Sequence, residues 1–376
     1  MIAPPCVVLI ETASSAIGSM PSYAELVAHA LRAQSVLPLH VQRVNLAPTE
    51  GRLGPFPGAL RTAAVFAALS VRARALGQKR QATLFHVMDG SQAHIVPWLH
   101  SRRVITTVHD LIPRLQCAGC FRTPRPGRPA RWLIRRNLRG VARSSRILAV
   151  SDNTAADLVR WGRIARTAID VVAPPLPVPM AAEALRNAGE PWHHRRMRHA
   201  PFVLHVGNNA FYKNRVGVLR VFSHLGSVHG VRLCMAGPRP TASILRIANS
   251  LGVANRVDFV IDPECPALAD LYRRACLLLF PSVYEGYGWP PLEAMAFGCP
   301  VVCSSSGSLP EVVGDGASLA PFDDEAALAS RCREVLDNEA LAGALVARGR
   351  ARVARLTVEG FGERLARIYE ELLCGA

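Results

Sequence analysis

The chain has 376 residues, of which 50% are hydrophobic and 19% are charged, so it is long enough for two domains that each bury a core. This composition excludes an intrinsically disordered protein, and no apolar run reaches the length of about 20 residues that predicts a membrane-spanning helix. The formal net charge of +16 indicates an anionic partner, which is a nucleic acid, a membrane surface or a phosphate-bearing substrate.

Short apolar runs alternate with longer amphipathic segments along the whole chain. The runs are mostly uninterrupted, which is typical of parallel strands covered on both faces of a sheet. Their alternation with helices predicts an α/β fold with doubly wound sheets. The predicted strands are Cys6–Ile10, Pro38–Val44, Thr83–Val87, Val104–Val108, Ile147–Val150, Ile169–Val172, Phe202–Val206, Arg232–Ala236, Val257–Ile261, Leu277–Phe280 and Pro300–Cys303. The clearest predicted helices are Tyr23–Gln34, Thr154–Trp161 and Ala326–Asp337.

Residues 173–200 are rich in proline and charge, which predicts a linker between two domains. We place the linker at residues 179–200, between an N-terminal domain of residues 1–178 and a C-terminal domain of residues 201–357. Two doubly wound domains joined in this way are expected to face each other across a cleft, at the carboxyl ends of their strands.

The N-terminus lacks the basic region and the longer apolar stretch of a secretory signal, so we expect a cytoplasmic protein. Four of the ten cysteines lie inside apolar stretches, as small buried hydrophobes do in such a compartment. Cys117 and Cys120 form a CxxC pair without a second pair or histidines at zinc spacing, so two ordinary thiols in a loop are the favoured interpretation.

A basic segment spans Arg122–Arg146, and from Ala130 onward it can form a helix in which apolar residues alternate with arginines. One interpretation is a half-buried helix with a solvated basic face. The other is a helix that lies on an anionic membrane surface, in keeping with the net charge.

The strongest functional signal is the segment PSVYEGYGWPPLEAMAFGCP at residues 281–300. A buried strand ends there, a loop with Gly286 and Gly288 follows, and a proline pair begins a helix. Free backbone N–H groups at a helix N-terminus form an anion site, and glycines let phosphates approach the backbone. Glu285 and Glu293 bracket the loop, and carboxylates of this kind bind pairs of sugar hydroxyls.

With seven residues between them, Glu285 and Glu293 resemble the EX7E motif of the family 4 retaining glycosyltransferases, which are GT-B enzymes. Further segments resemble that family in the same order along most of the chain. They are TVHDL at 107–111, ILAVS at 147–151, DVVAPP at 170–175, LHVGNNAFYKN at 204–214, VRLCMAG at 231–237, VDFVIDPECPALADLYRRA at 257–275 and LPEVVGDGA at 309–317. The resemblance implies two Rossmann-like domains that face a cleft, with a last helix at 358–376 that packs back on the N-terminal domain.

The resemblance also implies roles for individual residues. Glu285 would contact hydroxyls of the transferred sugar, Glu293 would bind the ribose, and Lys213 would neutralise the diphosphate. His109, at a strand end, would lie near the C6 hydroxyl of the sugar or the reacting centre; a structural histidine bonded to Asp110 is the alternative. The other implied donor-binding positions are Gly18, Gly207, Asn208, Asn209, Asn214, Gly286, Tyr287 and Gly288.

The chain departs from the family at Asn208, where an arginine often follows the glycine of the turn. We expect no metal and no cofactor beside the nucleotide-sugar substrate, because GT-B enzymes generally bind the diphosphate with protein cations and helix dipoles. Two segments are interpreted as structural. Ser308–Glu311 matches a capping box, and Phe322–Glu325 matches a helix start.

These patterns predict a retaining transferase that moves a hexose-type sugar from a nucleoside diphosphate to a glycan or lipid-linked acceptor in cell-envelope polysaccharide synthesis. The resemblance at residues 308–317 favours guanosine diphosphate mannose as the donor, and the basic segment favours the inner face of the membrane. The alternatives are a nucleotide-sugar epimerase, a sugar-nucleotide-binding relative without activity, and a basic nucleic-acid-binding protein. The low aromatic content of 6% argues against the last, so no nucleic acid is expected.

Overall fold

The computed structural model describes residues 5–12, 19–34, 39–47, 58–78, 84–101, 103–186, 200–226 and 230–374, with side chains omitted at 58–63. The chain divides into two compact units. The first comprises Met1–Pro175 and Thr357–Ala376, and the second comprises Leu176–Leu356. No helix in the described ranges is both long and apolar enough to cross a membrane.

The first unit contains a six-stranded parallel sheet in the order β2-β1-β3-β4-β5-β6. The order reverses between β1 and β3, as in doubly wound sheets. The strands are β1 (Cys6–Glu11), β2 (His40–Asn45), β3 (Leu84–Val87), β4 (Val104–Val108), β5 (Arg146–Ala149) and β6 (Ile169–Val171). The helices between them are α1 (Ser19–Arg32), α2 (Gly58–Gly77), α3 (Ile112–Ala118), α4 (Arg128–Val141) and α5 (Asp152–Gly162), and a 3-10 segment spans Gly90–Trp98.

The second unit contains a six-stranded parallel sheet in the order β12-β11-β10-β7-β8-β9, and its order reverses between β7 and β10. The strands are β7 (Phe202–Val206), β8 (Arg232–Gly237), β9 (Val257–Ile261), β10 (Leu277–Phe280), β11 (Val301–Ser304) and β12 (Ala317–Ala320). The helices are α6 (Val178–Arg186), α7 (Arg215–Leu225), α8 (Ala242–Ser250), α9 (Cys265–Arg274), α10 (Trp289–Ala296), α11 (Leu309–Val313), α12 (Glu325–Asp337) and α13 (Glu339–Ala354).

The predicted α/β fold with doubly wound sheets is confirmed. Each predicted strand overlaps an observed one, and the central strands β4, β10 and β11 are buried over their whole length, as uninterrupted apolar runs require. Strand β12 has no counterpart among the predicted strands, because its sequence, ASLA, is short and contains mostly small residues.

Helix α6 occupies the first part of the segment that we expected to be a linker. It packs on α9, where Arg273 donates a hydrogen bond of 2.8 Å to the carbonyl of Glu183 and Met180 is buried. The remaining linker residues, 187–199, lie outside the described residues. Cys117 also differs from expectation, because it lies in α3 and not in a loop.

The last helix, α14 (Val358–Cys374), belongs to the first unit and packs against α1, which confirms the expected return of the C-terminus. The side chain of Gln34 donates to the carbonyl of Glu359 at 3.3 Å. Gly362 lies so close to α1 that a Cβ placed on it would stand 2.8 Å from the carbonyl oxygen of Ala30. The absence of a side chain at Gly362 therefore allows the two helices to approach.

Replacing Gly362 with alanine is expected to lower the free energy of unfolding of the first unit by about 1–3 kcal/mol, because the added methyl group overpacks the contact with α1. Gly343 on α13 is the matched control, since a Cβ there would meet nothing within 4 Å. Gly343→Ala should raise stability by up to about 1 kcal/mol through helix propensity. Chemical denaturation of both variants measures the two changes, and a loss of equal size in both would contradict the packing argument.

Candidate functional site

Two loops meet at the carboxyl end of the second sheet, where the strand order reverses. The Gly207 turn (residues 207–214) follows β7, and the glycine loop (residues 281–288) follows β10. Hydrogen bonds to the backbone join them: Asn214 Nδ2 donates to the carbonyl of Pro281 at 2.9 Å, and the N–H of Val283 donates to the carbonyl of Tyr212 at 2.8 Å. Ligands of doubly wound sheets bind at such reversal points.

Asn214 connects the Gly207 turn to helix α7. Its backbone is left-handed, with φ of 51°, a conformation that asparagine tolerates better than most residues. Its Oδ1 accepts a hydrogen bond from the N–H of Gly217 at 3.1 Å and so caps α7, while its Nδ2 binds the glycine loop. This single side chain fixes the position of the residue before it, Lys213.

Lys213 and Glu285 form an ion pair across the two loops. Lys213 Nζ donates to Glu285 Oε1 at 2.8 Å and to Oε2 at 3.0 Å, and the side chains are only 14% and 8% exposed. The ammonium group also lies over the rings of Phe280, at 5.1 Å, and Tyr212, at 5.4 Å. An ammonium group that is largely shielded from water binds anions more strongly than a fully solvated one.

The backbone of Glu285 is held from the opposite side by Gly307 and Ser308. Gly307 has φ of +59°, and a Cβ on it would stand 2.6 Å from the carbonyl oxygen of Glu285. Ser308 Oγ lies 3.1 Å from that oxygen and 2.7 Å from the carbonyl oxygen of Tyr287. The predicted capping box at Ser308 is therefore wrong: its hydroxyl makes no capping bond to α11 and binds the glycine loop.

The start of α10 follows the glycine loop directly. Gly288 is left-handed, with φ of +107°, and a Cβ there would stand 2.7 Å from Leu309 Cδ2, so the position requires glycine. Prolines at the first turn suit the fixed helical φ. The arrangement is the strand, glycine loop and helix N-terminus that the sequence predicted.

Glu293 lies inside α10 and is buried, unlike a solvated acid of an early helical turn. Tyr272 Oη on α9 donates to Glu293 Oε2 at 2.7 Å. Burial raises the pKa of Glu293 to about 7, although the Tyr272 hydrogen bond and the charge of Lys213 both oppose the rise. No sequence motif marks Tyr272, because its role depends on how α9 packs on α10.

Asn208 and Asn209 hold the shape of the Gly207 turn. Asn208 Oδ1 accepts from the N–H of Ala210 at 3.0 Å, and Asn209 Nδ2 donates to the carbonyl of Arg239 at 2.9 Å. Asn209 Oδ1 accepts from Arg215 Nη1 at 2.5 Å. Arg215 was not among the predicted site residues.

His109 lies in the first unit, after β4. Its Nε2 donates to the carbonyl of Met88 at 2.9 Å, and its ring packs edge-on against Tyr23 at 4.7 Å. Burial lowers the pKa of His109, so the ring is neutral with Nδ1 as an acceptor. Asp110 Oδ1 accepts a hydrogen bond from the N–H of Ile112 at 2.8 Å.

A buried polar network lies behind His109 and reaches the last helix. Tyr369 Oη on α14 lies 2.5 Å from His86 Nδ1, His86 Nε2 lies 2.8 Å from Thr107 Oγ1, and Thr107 Oγ1 lies 3.2 Å from Tyr23 Oη. Burial lowers the pKa of His86 to about 3, so the imidazole is neutral and can donate on one side and accept on the other. The network ties α14 to β3, β4 and α1.

The second unit therefore brings together Lys213, Asn214, Glu285 and Glu293 with the Gly207 turn and the glycine loop. His109 belongs to the first unit, and Gly18 lies outside the described residues. Within the ranges that the structure describes, no three His, Cys, Asp or Glu side chains cluster in a way that could hold a metal ion. The absence of a metal requirement stays a prediction.

Two protein-family models match consecutive parts of the chain. The model "Glycosyltransferase Family 4" matches residues 26–178, and the model "Glycosyl transferases group 1" matches residues 191–352. Together they span most of the chain. The family resemblance carried by the EX7E motif is thereby confirmed.

Curated relatives are similar over part of their length. The chain is 30% identical to O-antigen chain mannosyltransferase B of Escherichia coli over 178 residues, which are 46% of each protein. It is 32% identical to D-inositol 3-phosphate glycosyltransferase of Mycolicibacterium smegmatis over 212 residues, which are 53% of this chain and 47% of that protein. The matched region thus spans about half the length of these relatives.

Solved structures share the fold over nearly the whole chain. Sucrose-phosphate synthase from Thermosynechococcus elongatus superimposes with a TM-score of 0.78 at 21% identity, over 99% of this chain and 100% of that one. Anabaena Alr3699/HepE in complex with UDP-glucose gives a TM-score of 0.69 at 14% identity, over 97% and 99% of the two chains. The predicted GT-B fold is confirmed, and at these identities the likeness concerns the fold alone.

The buried Glu293 predicts a pH dependence of stability. Because its pKa is raised from 4.5 to about 7, the folded chain binds this proton more tightly than the unfolded chain, and stability falls as pH rises between these values. Glutamine does not titrate. The stability of Glu293→Gln relative to the original chain should therefore grow, on the order of 3 kcal/mol from about pH 4 to about pH 8. Denaturant unfolding across this range measures the difference; a constant difference would contradict the raised pKa.

Proposed function

We propose that this chain is an enzyme that moves a hexose-type sugar from a nucleoside diphosphate to an acceptor hydroxyl, with retention at the anomeric carbon. The premise is that the chain belongs to the group 1 and family 4 glycosyltransferases, whose models match most of its length. The observation that carries the proposal is the Lys213–Glu285 pair next to Glu293 at the reversal point of the second sheet. Cations, glycine amides and carboxylates at one sheet edge suit the diphosphate and hydroxyls of a nucleotide-sugar.

Each group has a proposed role toward the donor. Lys213 and backbone N–H groups of the glycine loop ahead of α10 bind the diphosphate, with the Gly207 turn close to the phosphates. Glu293 accepts hydrogen bonds from the ribose, and Glu285 accepts them from the transferred sugar. For His109 the proposed role is contact with that sugar, for which its neutral ring offers Nδ1 as an acceptor.

The reaction breaks the bond between the anomeric carbon and the diphosphate oxygen, and the acceptor oxygen bonds to the same face of that carbon. The acceptor proton passes to the departing diphosphate. Lys213 stabilises the charge that develops on the leaving oxygen, and stabilisation of developing charge usually contributes most to catalysis in a site of this kind. Because the diphosphate competes with Glu285 for the ammonium group, donor binding also frees the Glu285 oxygens for sugar hydroxyls.

One comparison bears on the donor. The mannosyltransferase relative supports a mannosyl donor, of which guanosine diphosphate mannose is our proposal. The complex of Alr3699/HepE with UDP-glucose shows that the shared fold holds a nucleotide-sugar, and at 14% identity it supports no particular base. The relative that builds O-antigen chains supports a glycan or lipid-linked acceptor of the cell envelope.

The exposed face of α4 supports a peripheral position on an anionic membrane. Arg128, Trp132, Arg135 and Arg139 follow one another at spacings of four, three and four residues, which places them in one stripe, and all four are exposed. Trp132 is 53% exposed, with Arg136 over its ring at 5.7 Å. The opposite face, with Asn137 and Gly140, is buried. A cationic stripe around a tryptophan suits the interface of an anionic bilayer.

Donor turnover tests the proposed roles of Lys213 and Glu285. Release of UDP from UDP-glucose and of GDP from GDP-mannose, followed with a coupled assay in the presence of a membrane extract that supplies glycan and lipid-linked acceptors, is expected for the original chain with one donor. Lys213→Met and Glu285→Gln should lower this release by about two orders of magnitude or more, since each removes a group that acts on the transition state. Glu334→Gln, an exposed glutamate on α12, is the matched control and should keep full activity.

Full activity in Lys213→Met or Glu285→Gln would contradict the residue assignment. Nucleotide binding without release by the original chain would favour a binding relative without activity. Conversion of the donor sugar to an isomer without nucleotide release would favour an epimerase.

Vesicle binding tests the stripe on α4. The chain should sediment with phosphatidylglycerol vesicles but not with phosphatidylcholine vesicles. Replacing Arg128, Arg135 and Arg139 with glutamine should weaken this binding by about 3 kcal/mol, roughly 1 kcal/mol per arginine. Replacing the exposed Arg246, Arg355 and Arg367 removes the same charge elsewhere and should change it little. Equal losses in both triple variants, or salt-sensitive binding to DNA in place of vesicles, would contradict a membrane role.

A further inference from the structure

Arg215 is a buried cation that makes no ion pair with a carboxylate in the described part of the chain. It is the first residue of α7 and is 4% exposed. Its Nη1 donates to Asn209 Oδ1 at 2.5 Å and to the carbonyl of Pro238 at 3.0 Å, and neither acceptor carries a charge. Its Nε and Nη2 are buried and make no hydrogen bond to any residue that the structure describes. The Phe259 ring, whose centroid lies 6.0 Å from the guanidinium carbon, offsets only part of the cost of burying this charge.

The guanidinium group lies behind the Gly207 turn. Asn209 belongs to that turn, and Pro238 follows β8, so Arg215 bridges the loops that follow two neighbouring strands. Gly237, with φ of +141°, packs against the carbonyl of Gly207 at the same place. Arg215 and the loop that follows β8 therefore both contact the Gly207 turn.

A second buried nitrogen faces the same turn. His205 Nδ1 donates to the carbonyl of Leu279 at 3.1 Å, and its Nε2 has no partner among the described residues. That Nε2 lies 3.0 Å from the point where a Cβ on Gly207 would stand. Burial lowers the pKa of His205 to about 3, and the charges of Arg215 and Lys213 add to this effect. Arg215 and Lys213 therefore both lie close enough to act on the buried nitrogen that faces the turn.

We propose that Arg215 is a positioning residue for the diphosphate of the donor. It holds Asn209 in place and contributes a buried positive charge to the Gly207 turn, so the turn binds a diphosphate although Asn208 and Asn209 are neutral. A charge in a desolvated position acts on a nearby anion without contact, because little water screens it. The inference rests on the proposed function, since it assumes a nucleoside diphosphate in this site.

The competing explanation is that Arg215 has a purely structural role. The effect of removing its positive charge distinguishes the two explanations. If Arg215 only ties two loops together, a shorter neutral donor such as glutamine should weaken binding of a diphosphate and of a monophosphate to the same extent, because a distorted turn affects both ligands. If its charge acts on the ligand, a neutral replacement should weaken binding of a diphosphate more than binding of a monophosphate, because the second phosphate adds negative charge to the ligand.

Isothermal titration of UDP against UMP, and of GDP against GMP, tests the proposal. One diphosphate should bind the original chain more tightly than its monophosphate. Arg215→Met and Arg215→Gln should lower the diphosphate affinity about tenfold and the monophosphate affinity much less, and Arg215→Lys should retain most of the preference. Arg220→Met, on the same helix with a side chain 53% exposed, is the matched control and should bind as the original chain does.

Two results would overturn the proposal: original affinity in Arg215→Gln, or equal losses for both nucleotides in Arg215→Gln and Arg215→Met. If Arg215→Met does not fold, the comparison of the lysine with the glutamine variant makes the same distinction. If the original chain binds none of the four nucleotides, the proposed function fails and this inference fails with it. If a nucleotide binds the original chain and the Arg215 variants with equal affinity, the proposed function is unaffected and only this inference is wrong.

Discussion

The ion pair between Lys213 and Glu285 is the interaction on which the rest of the site depends. It joins two loops from neighbouring strands, and both carboxylate oxygens lie within 3.0 Å of the ammonium nitrogen. Asn214 ties the Gly207 turn to Pro281, and Gly307 leaves room for the backbone of Glu285, so two uncharged residues help to position the charged partners.

Several groups around this pair are held in states that are unfavourable without a ligand. Glu293 is buried with a raised pKa, and among the described residues Arg215 has no carboxylate bonded to it and His205 Nε2 has no partner. Each of these groups lowers the free energy of unfolding, and packing elsewhere in the second unit offsets that loss. Such costs concentrate where a ligand relieves them, and the reversal point of a parallel sheet is where α/β proteins bind ligands. Position and electrostatics therefore support the same conclusion about the second unit.

The parts that could be predicted from the sequence were those with a local signature. Uninterrupted apolar runs indicated the parallel strands, and the segment from Glu285 to Glu293 indicated the glycine loop and its helix. The contributions of Tyr272, Ser308 and Arg215 could not be predicted, because each contacts a neighbour 21 or more residues away, through packing that only the tertiary fold creates. The spacing of Ser308 to Glu311 fits a capping box, yet the Ser308 hydroxyl lies within hydrogen-bond distance of two carbonyl oxygens of the glycine loop.

A crystal structure of the chain with a bound nucleoside diphosphate is the sharpest test of how Lys213 and Glu293 bind the donor. We expect phosphate oxygens within hydrogen-bond distance of Lys213 Nζ and of backbone N–H groups of the glycine loop ahead of α10, with the ribose hydroxyls on Glu293. We also expect that the two Glu285 oxygens no longer both bind the ammonium group. A nucleotide bound elsewhere in the second unit, with the Lys213–Glu285 pair unchanged, would contradict these expectations.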